Sequence, residues 1–422
     1  MIRPPDSDRA VGMEVYATDS PPCRALLRVE PEDFVVEEAF GTNAVSDQPG
    51  AGFVPLYRVE KHSMDTPHVA KAMGRSLKSR VAYAGMKDKR AAAVQYMTPT
   101  STRSERPQMV EDPNFRATLV GYLPRPISRS MIAGNRFSIT MRQCCAEIGP
   151  RIIEAFDAAA SLKVPNFYGP QRFGTRDPIT HRVGRAIVQG KFDEAVRILL
   201  FDPRSADDEK TSEARRLLAA ERYQEGAEML PEKQDIEKAV ARRLAREPAD
   251  CIGALRAVPI AVRRLYVQAF QSYLFNRTLS AALTEGVDIS SPRQGDNWGE
   301  LAEDGLNLAK VHGVREPMVE GAVPLVQLAG FAYRNYGSRF DARLQKVFDD
   351  ERIEPRRFFV NEMQEVSVEG GFRRPHLAVA GPTSEVKGEM ARIGFSLPRG
   401  GYATVLLREV VKPSDPFSSG FA

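Results

Sequence analysis

The chain has 422 residues, of which 42% are hydrophobic and 27% charged, and its formal net charge is +4 at pH 7. This length predicts two domains. The mild positive charge permits a nucleic-acid partner without requiring one, so an RNA-binding surface would depend on local clusters of Lys and Arg. No apolar run is long enough to cross a bilayer, and residues 1–20 lack the apolar core of a secretory signal. We therefore expect a cytoplasmic protein without a membrane span.

The sequence carries few signs of metal or cofactor chemistry. The four cysteines, Cys23, Cys144, Cys145 and Cys251, include no C-x-x-C pair, which indicates a reducing compartment and argues against structural zinc. The histidines have no metal-ligand spacing. P-loop, H-E-x-x-H and G-x-S-x-G motifs do not occur. An enzyme without metal or cofactor is compatible with this pattern.

The first predicted elements are two strands and a helix. Residues Arg28–Glu38 (RVEPEDFVVEE) predict a strand that begins after the proline turn. Residues 54–61 alternate between apolar and polar types and predict a second strand. Asp65 precedes Pro67 at the start of a periodic apolar pattern, which predicts a helix capped by the aspartate.

One acid flanked by cations follows a short apolar strand in the segment Ala84–Arg90 (AGMKDKR). Gly85 predicts a turn with positive φ, which glycine adopts without steric cost. Neighbouring positive charge, including that of Lys87, is expected to keep Asp88 ionised and to attract an RNA phosphate. The next segment, Ala91–Ala93, favours a helix by propensity. Taken alone, the same residues are also typical of a solvated turn of mixed charge.

The central part of the chain is predicted to be irregular at first and helical later. Residues 100–127 are rich in Pro, Arg and Ser and indicate irregular structure. Gly134–Asn135 is a turn signal that precedes a strand. An amphipathic helix is predicted over 150–162, charged helices over 182–250, and a long helix with a broad apolar face over 263–283.

A second informative string is Val164–Gly174 (VPNFYGPQRFG). Aromatic rings and amide side chains on a glycine-containing loop are the groups that stack on and read splayed RNA bases, although the same composition occurs in packed core turns. Residues 290–375 mix turns and short strands. The C-terminal string Ser396–Glu409 (SLPRGGYATVLLRE) predicts a strand, a turn and then an apolar strand or short helix.

These strings, in this order, resemble the motifs of the TruD family of pseudouridine synthases, and the long middle segment is similar to that of the archaeal branch. The resemblance rests on Arg28–Glu38, Ala84–Gln95, Val164–Gly174, Gln271–Asn276 and Ser396–Glu409. It implies an α/β (α+β) fold with a mixed, mostly antiparallel sheet crossed by a cleft. It also implies that residues 1–190 and 376–422 form the catalytic domain and that 191–375 form an inserted α+β domain.

The resemblance further implies a tRNA pseudouridine synthase that isomerises the uridine conventionally numbered thirteen in the tRNA D-arm, without metal or cofactor. Asp88 matches the family's catalytic aspartate, and Arg28 matches a basic residue of its active site. Asn166 and Tyr168 match residues of the uridine pocket. The remaining expected RNA contacts are Lys61, Lys87 and Arg172.

Two positions depart from the family pattern, and two other functions remain open. Ala93 stands where the family usually has Thr, and Tyr168 where it usually has Phe. One alternative is a catalytically silent RNA-binding protein or tRNA chaperone on the same scaffold. The other is a carboxylate-dependent glycosidase or nucleosidase, which normally pairs two acids; Glu38 is the candidate for the second.

Overall fold

The structure is a computed structural model that describes residues 2–41, 45–87, 92–102, 106–144, 148–162, 164–174 and 176–421. It contains a large sheet, a smaller sheet and a group of helices, most of which lie in the sequence between the strands of the two sheets. None of the helices within these ranges is long and apolar enough to cross a membrane.

The large sheet has nine strands and is mostly antiparallel. Its strands are β1 (Phe34–Phe40), β2 (Val54–Lys61), β3 (Val81–Tyr83), β4 (Ala92–Pro99), β5 (Met109–Asp112), β6 (Phe115–Leu123), β7 (Ile132–Met141), β12 (Ala380–Lys387) and β13 (Met390–Pro398). Their order is β12-β13-β7-β1-β4-β2-β6-β5, with β3 paired to β4. Among the described strand pairs, only β1 and β4 run parallel, which confirms the predicted mixed, mostly antiparallel sheet.

The smaller sheet comprises β8 (Asn297–Leu301), β9 (Leu308–His312), β10 (Val323–Leu328) and β11 (Gly371–Arg373), in the order β11-β10-β8-β9. The helices are α1 (Asp6–Arg9), α2 (Thr66–Ser76), α3 (Ile148–Ser161), α4 (Thr180–Val188), α5 (Phe192–Leu200), α6 (Glu209–Ala219), α7 (Tyr223–Met229), α8 (Asp235–Arg246), α9 (Cys251–Arg256), α10 (Ile260–Thr284), α11 (Arg339–Glu351) and α12 (Ala403–Val411).

Each part of the chain buries its own apolar cluster. Helices α3 and α12 cover one face of β1, β7 and β13 around Phe137, Phe156 and Phe395. Helix α2 packs on β2, β4 and β6. In a separate cluster the seven helices from α4 to α10 pack together with α11, and this cluster includes Phe270 and Phe348. Burial of these aromatic and aliphatic side chains is the main stabilising contribution to each layer.

Several predicted elements are present in the structure. Strands β1 and β2 and helices α2, α3 and α10 lie where the sequence predicts them. Asp65 caps α2 as expected, because its Oδ1 accepts the backbone N–H of His68 at 3.0 Å. The segment after the C-terminal turn, predicted as an apolar strand or a short helix, is the helix α12.

Other predictions were wrong. Residues 100–127 contain β5 and β6, whose pairing with each other and with β2 overrides their polar composition. The predicted helix propensity of Ala91–Ala93 is also overridden, since β4 begins at Ala92; Ala91 lies outside the described residues. Gly134–Asn135 lies within β7 instead of a turn. A Cβ at Gly134 would lie 2.1 Å from the Leu397 carbonyl oxygen, so glycine is required by the close approach of β13.

The N-terminal segment is held to α12 by a buried group of charges. Arg408, which is 3% exposed, places Nε 2.5 Å from Oδ2 of Asp8 and Nη1 3.1 Å from Oε1 of Glu409. Burial raises the pKa of Asp8, and Arg408 opposes that rise. Burial likewise raises the pKa of Glu409. Arg408 therefore balances part of the negative charge of two carboxylates that are out of contact with water, and Lys412 adds positive charge near Glu409.

We expect Arg408→Met to lower the free energy of unfolding at neutral pH by about 3–5 kcal/mol, because it leaves two carboxylates buried without their cation. The folded state would then bind protons more tightly than the unfolded state, so stability should fall as pH rises and the deficit should shrink as pH decreases. Urea unfolding at several pH values measures both effects. Arg392→Met is the matched control, since Arg392 forms an exposed pair with Glu385 worth at most about 1 kcal/mol. An equal loss in both variants would contradict this account.

Candidate active site

The loop between β3 and β4 is anchored at Lys87. Its backbone N–H donates to Oγ1 of Thr66 at 2.9 Å, and that hydroxyl donates to Oε1 of Gln95 at 3.0 Å. Thr66 begins α2 and Gln95 lies in β4, and both side chains are buried. The loop is thus tied to two elements that are themselves fixed by core packing.

The side chain of Lys87 forms a buried ion pair within the sheet. Its Nζ lies 2.9 Å from Oε1 of Glu38 and donates to Oδ1 of Asn135 at 2.9 Å. The side chains of Lys87 and Glu38 are 11% and 2% exposed. The other oxygen of Glu38 accepts the backbone N–H of Tyr96 at 2.9 Å. Both oxygens of Glu38 are therefore engaged, one by Lys87 and the other by the backbone of β4.

Two cavities lie on either side of Met86, Lys87 and Asn135, which line both. We call the first the inner cavity; its volume is about 200 Å³. Its described lining residues are Arg28, Phe34, Val36, Met86, Lys87, Asn135, Phe137, Gln171, Gly401, Tyr402, Ala403 and Thr404. The lining combines apolar side chains with charged, amide and hydroxyl groups, and such groups can fix the orientation of a bound ligand.

The second space, which we call the outer cavity, is larger and basic, with a volume of about 500 Å³. Its described lining residues are Glu38, Ala84, Gly85, Met86, Lys87, Arg129, Ile132, Asn135, Arg399 and Gly400. Arg129 and Arg399 are exposed. Gly85 lacks the predicted positive φ, and a Cβ at this position would meet no atom within 4 Å. The lack of a side chain at Gly85 leaves space at the cavity wall, and the backbone conformation of the turn does not require glycine.

Met86 stands between the two cavities with 76% of its surface exposed. It directly precedes Lys87, whose side chain turns inward to Glu38. Asp88, the predicted catalytic residue, lies outside the described residues. The chain therefore reaches Asp88 from an anchored point that borders both cavities.

Of the predicted RNA contacts, Arg28 and Lys87 line the inner cavity. The Arg28 guanidinium lies 4.2 Å from the ring centroid of Phe34, and its Nη1 donates to the Gly420 carbonyl oxygen at 2.9 Å. Its backbone adopts a φ of 55°, which is uncommon for a residue with a side chain. The cation is thus held in place by a ring and a carbonyl group at the mouth of the cavity.

Lys61 and Arg172 lie elsewhere. Lys61 is 3% exposed and its Nζ donates to the Met64 carbonyl oxygen at 2.9 Å. Arg172 turns toward α10, where it donates to Oε1 of Gln268 at 3.1 Å and to Oγ of Ser272 at 3.4 Å. Neither is among the described residues that line the inner or the outer cavity.

Asn166 and Tyr168 form a layer behind the inner cavity. The Asn166 side chain is buried and bonds to the Arg373 guanidinium and the Arg374 carbonyl oxygen. The Tyr168 ring lies edge-on to Phe275, at a centroid distance of 5.5 Å, and to Tyr402, at 6.2 Å. Of these three rings, Tyr402 is the one found among the described residues that line the inner cavity.

Sequence reasoning did not single out Asn135, Tyr402 or Thr404 as site residues. Asn135 was assigned to a turn, whereas it pairs with Glu38 across β7 and β1. Tyr402 stands in the C-terminal string, and a resemblance in that string was the available signal. Their shared location follows from the return of β13 to the sheet beside β7, which periodicity along the chain does not show.

The arrangement suits a nucleoside. Aromatic and aliphatic walls favour a planar base, and the amides of Asn135 and Gln171 offer donors and acceptors to its edge. Among the residues that the structure describes, no group of three His, Cys, Asp or Glu is placed to hold a metal ion.

Comparisons with known proteins agree with this interpretation. The sequence profile of the family described as "tRNA pseudouridine synthase D (TruD)" matches residues 10–410. A protein of Pyrobaculum arsenaticum named "Probable tRNA pseudouridine synthase D" is 36% identical over the whole of both chains. One of the same name from Methanopyrus kandleri is 32% identical over 86% of each chain. A crystal structure from Methanosarcina mazei, titled as a TruD protein, has a TM-score of 0.81 and 26% identity, and covers 98% of this chain and 99% of its own.

We expect Glu38→Gln to lower the free energy of unfolding by about 3 kcal/mol, because Lys87 then remains buried without its counter-ion. The neighbouring variant Glu37→Gln is the matched control. Glu37 lies on the opposite face of β1, is one-third exposed and pairs with Arg58 at 3.6 Å, so its loss should cost at most about 1 kcal/mol. Denaturant unfolding measures both, and equal stability of the two variants would show that the Glu38–Lys87 pair contributes little.

Proposed function

The chain belongs to the TruD family of tRNA pseudouridine synthases, and we propose that it isomerises the uridine conventionally numbered thirteen in the tRNA D-arm with Asp88 as the catalytic carboxylate. The observation that carries the proposal is the anchored Lys87. It precedes Asp88 in the chain and borders a cavity with apolar walls and amide groups.

The reaction breaks the N-glycosidic bond of uridine, turns the uracil and rejoins it through carbon. Its difficulty is the positive charge that develops at C1′ of the ribose. A carboxylate held at that carbon either attacks it and forms a covalent intermediate or acts as a base toward the sugar. In both paths C5 loses its hydrogen to solvent when it bonds to C1′ and N1 takes up a proton in exchange, so the product is an isomer.

In this proposal Arg28 is the cation that favours an ionised Asp88, since the charge of Lys87 is already balanced by Glu38. Lys87 is fixed by Glu38 and Asn135, and Arg28 lies on another part of the inner cavity wall. A carboxylate beside fixed positive charge remains ionised at neutral pH. Because Glu38 is already paired, the site has one acid for the chemistry in this proposal, which favours isomerisation over a two-carboxylate glycosidase.

The inner cavity is proposed to hold the uracil after the uridine leaves its base stack. Such extrusion costs a few kcal/mol, which contacts in the pocket offset. Phe34, Phe137 and Tyr402 supply ring surface, and Asn135 and Gln171 supply amides for the uracil edge. Asn166 and Tyr168, predicted as pocket residues, act in this proposal from the layer behind Tyr402.

We further propose that residues 1–190 and 376–422 form the catalytic domain and that 191–375 form an inserted domain that closes over the RNA. The segment from α5 to β11 contains the smaller sheet, and the chain then returns to the large sheet through β12 and β13. Helix α4, which precedes the proposed boundary, packs on α10. The free thiols of Cys23, Cys144 and Cys251 fit a reducing compartment such as the cytoplasm.

We expect Asp88→Asn to abolish turnover while tRNA affinity stays within a few fold, because the variant keeps the shape of the residue and loses the charge. The measurement is tritium release from C5 of uridine in unmodified tRNA, since rejoining through C5 must free that atom. Asp112→Asn, which changes an acid in the β5–β6 turn, is the matched control and should retain wild-type release.

The alternatives give different results in the same assay. Release of free uracil would favour a nucleosidase. Binding without tritium release by the folded wild type would favour an RNA-binding protein. Full activity of Asp88→Asn would remove Asp88 from the chemistry.

We expect a tRNA in which cytidine replaces the D-arm uridine conventionally numbered thirteen to release no tritium, although it should bind with near wild-type affinity. Cytidine keeps the backbone and ring size at this site but lacks the uracil edge. The control is a tRNA with the same replacement at another D-arm uridine. Continued release from the first tRNA would show that the enzyme modifies a different uridine.

A further inference from the structure

Three chain segments meet at Arg373, the last residue of β11. Its Nε donates to the Asn166 carbonyl oxygen at 3.1 Å, and its Nη2 donates to Oδ1 of Asn166 at 2.6 Å. The same Nη2 donates to the Gly400 carbonyl oxygen at 3.0 Å. One guanidinium thus joins the smaller sheet, the Val164–Gly174 loop and the turn that leads into α12.

Arg373 also lies against the aromatic layer behind the inner cavity. Its guanidinium carbon is 4.1 Å from the ring centroid of Tyr168, and Tyr168 contacts the ring of Tyr402 edge-on. A Cβ at Gly169 would lie 3.0 Å from Cδ1 of Tyr402. The Tyr402 ring therefore has little room to move. A displacement of Arg373 would displace Tyr168, and with it Tyr402 at the cavity wall.

The partners of Arg373 show that direction matters more than charge. Within the described chain, they are amide and carbonyl oxygens, the Tyr168 hydroxyl and two aromatic rings, with no carboxylate among them. A planar guanidinium donates along fixed directions and stacks on rings, whereas an ammonium group does neither. Lysine at this position would keep the charge and lose the geometry.

We propose that Arg373 is a positioning residue for uridine isomerisation, and that it fixes Tyr402 at the inner cavity through Asn166, Tyr168 and Gly400. Nothing in the family description or in the names of the relatives assigns this role. The inference rests on the proposed function, because it takes pseudouridine formation in the inner cavity as the reaction. It assigns Arg373 no contact with the reacting atoms.

The test compares wild type with Arg373→Lys and Arg373→Gln. A small displacement of a positioning group costs up to about 10²-fold in rate, so we expect kcat for tritium release to fall about 10–100-fold in both. KM for tRNA and Kd should stay within about twofold, and the dependence of Kd on salt should be unchanged, since no phosphate contact is lost. Thermal unfolding identifies any variant that does not fold, and the other variant then decides.

Arg374→Lys is the matched control. Arg374 is the next residue, and its guanidinium bonds to the Leu306 carbonyl oxygen at 3.0 Å and to the His376 ring, away from the aromatic layer. Its kcat should equal that of wild type. A double variant of Arg373→Lys with Asn166→Ala should lose little more activity than the stronger single variant, since the two residues act as a unit.

Two results would overturn the inference while the wild type remains active. One is unchanged kcat in the folded Arg373 variants. The other is a rise in Kd with a weaker salt dependence and normal kcat, which would identify Arg373 as a phosphate contact. Absence of tritium release by the folded wild type would instead overturn the proposed function, and the Arg373 inference with it.

Discussion

The Glu38–Lys87 ion pair is the constraint on which the cleft depends. Glu38 projects from the middle of a nine-stranded sheet into a covered layer, where an ionised carboxylate is stable only with a cation and further hydrogen bonds. Lys87 provides that cation, so the segment 84–87 must lie close to the sheet. Met86 and Lys87 in this segment line both cavities. The position of Lys87, the residue before Asp88, is therefore set by its pairing with a buried glutamate that lies 50 residues before Asp88.

The second requirement is that the end of the chain returns to its beginning. Strand β13 pairs with β7 along its whole length, and Gly134 allows the backbone of Leu397 to approach. The turn after β13 then delivers Tyr402 to the inner cavity, while Arg408, further along α12, binds the N-terminal segment. The same nine-residue helix is thus fixed at one end by buried charges and borders the site at the other.

Local signals in the sequence predicted what local physics determines. The capped start of α2 at Asp65 and the apolar face of α10 were readable because their causes lie within one turn or one helix. The strands β5 and β6 were missed because their extended conformation depends on pairing with distant or neighbouring strands: β6 pairs with β2, and β5 pairs with β6. At the site, Arg28 and Lys87, which the sequence predicts as RNA contacts, both line the inner cavity. Asn135 was not, since its role depends on cross-strand pairing with Glu38.

The cations near the cleft divide by what they already bind. Lys87 and Arg172 use their donors on side chains of the protein itself, so their charge mainly sets geometry. Arg129 and Arg399, at the outer cavity, are exposed and are suited to attract an RNA backbone, although Arg399 also donates to the Asn307 side chain and to the Arg129 carbonyl oxygen. A chain with a net charge of only +4 cannot rely on a strong general field. In the proposed function, recognition therefore depends mainly on the shape of the inner cavity, and the exposed arginines guide the RNA toward it.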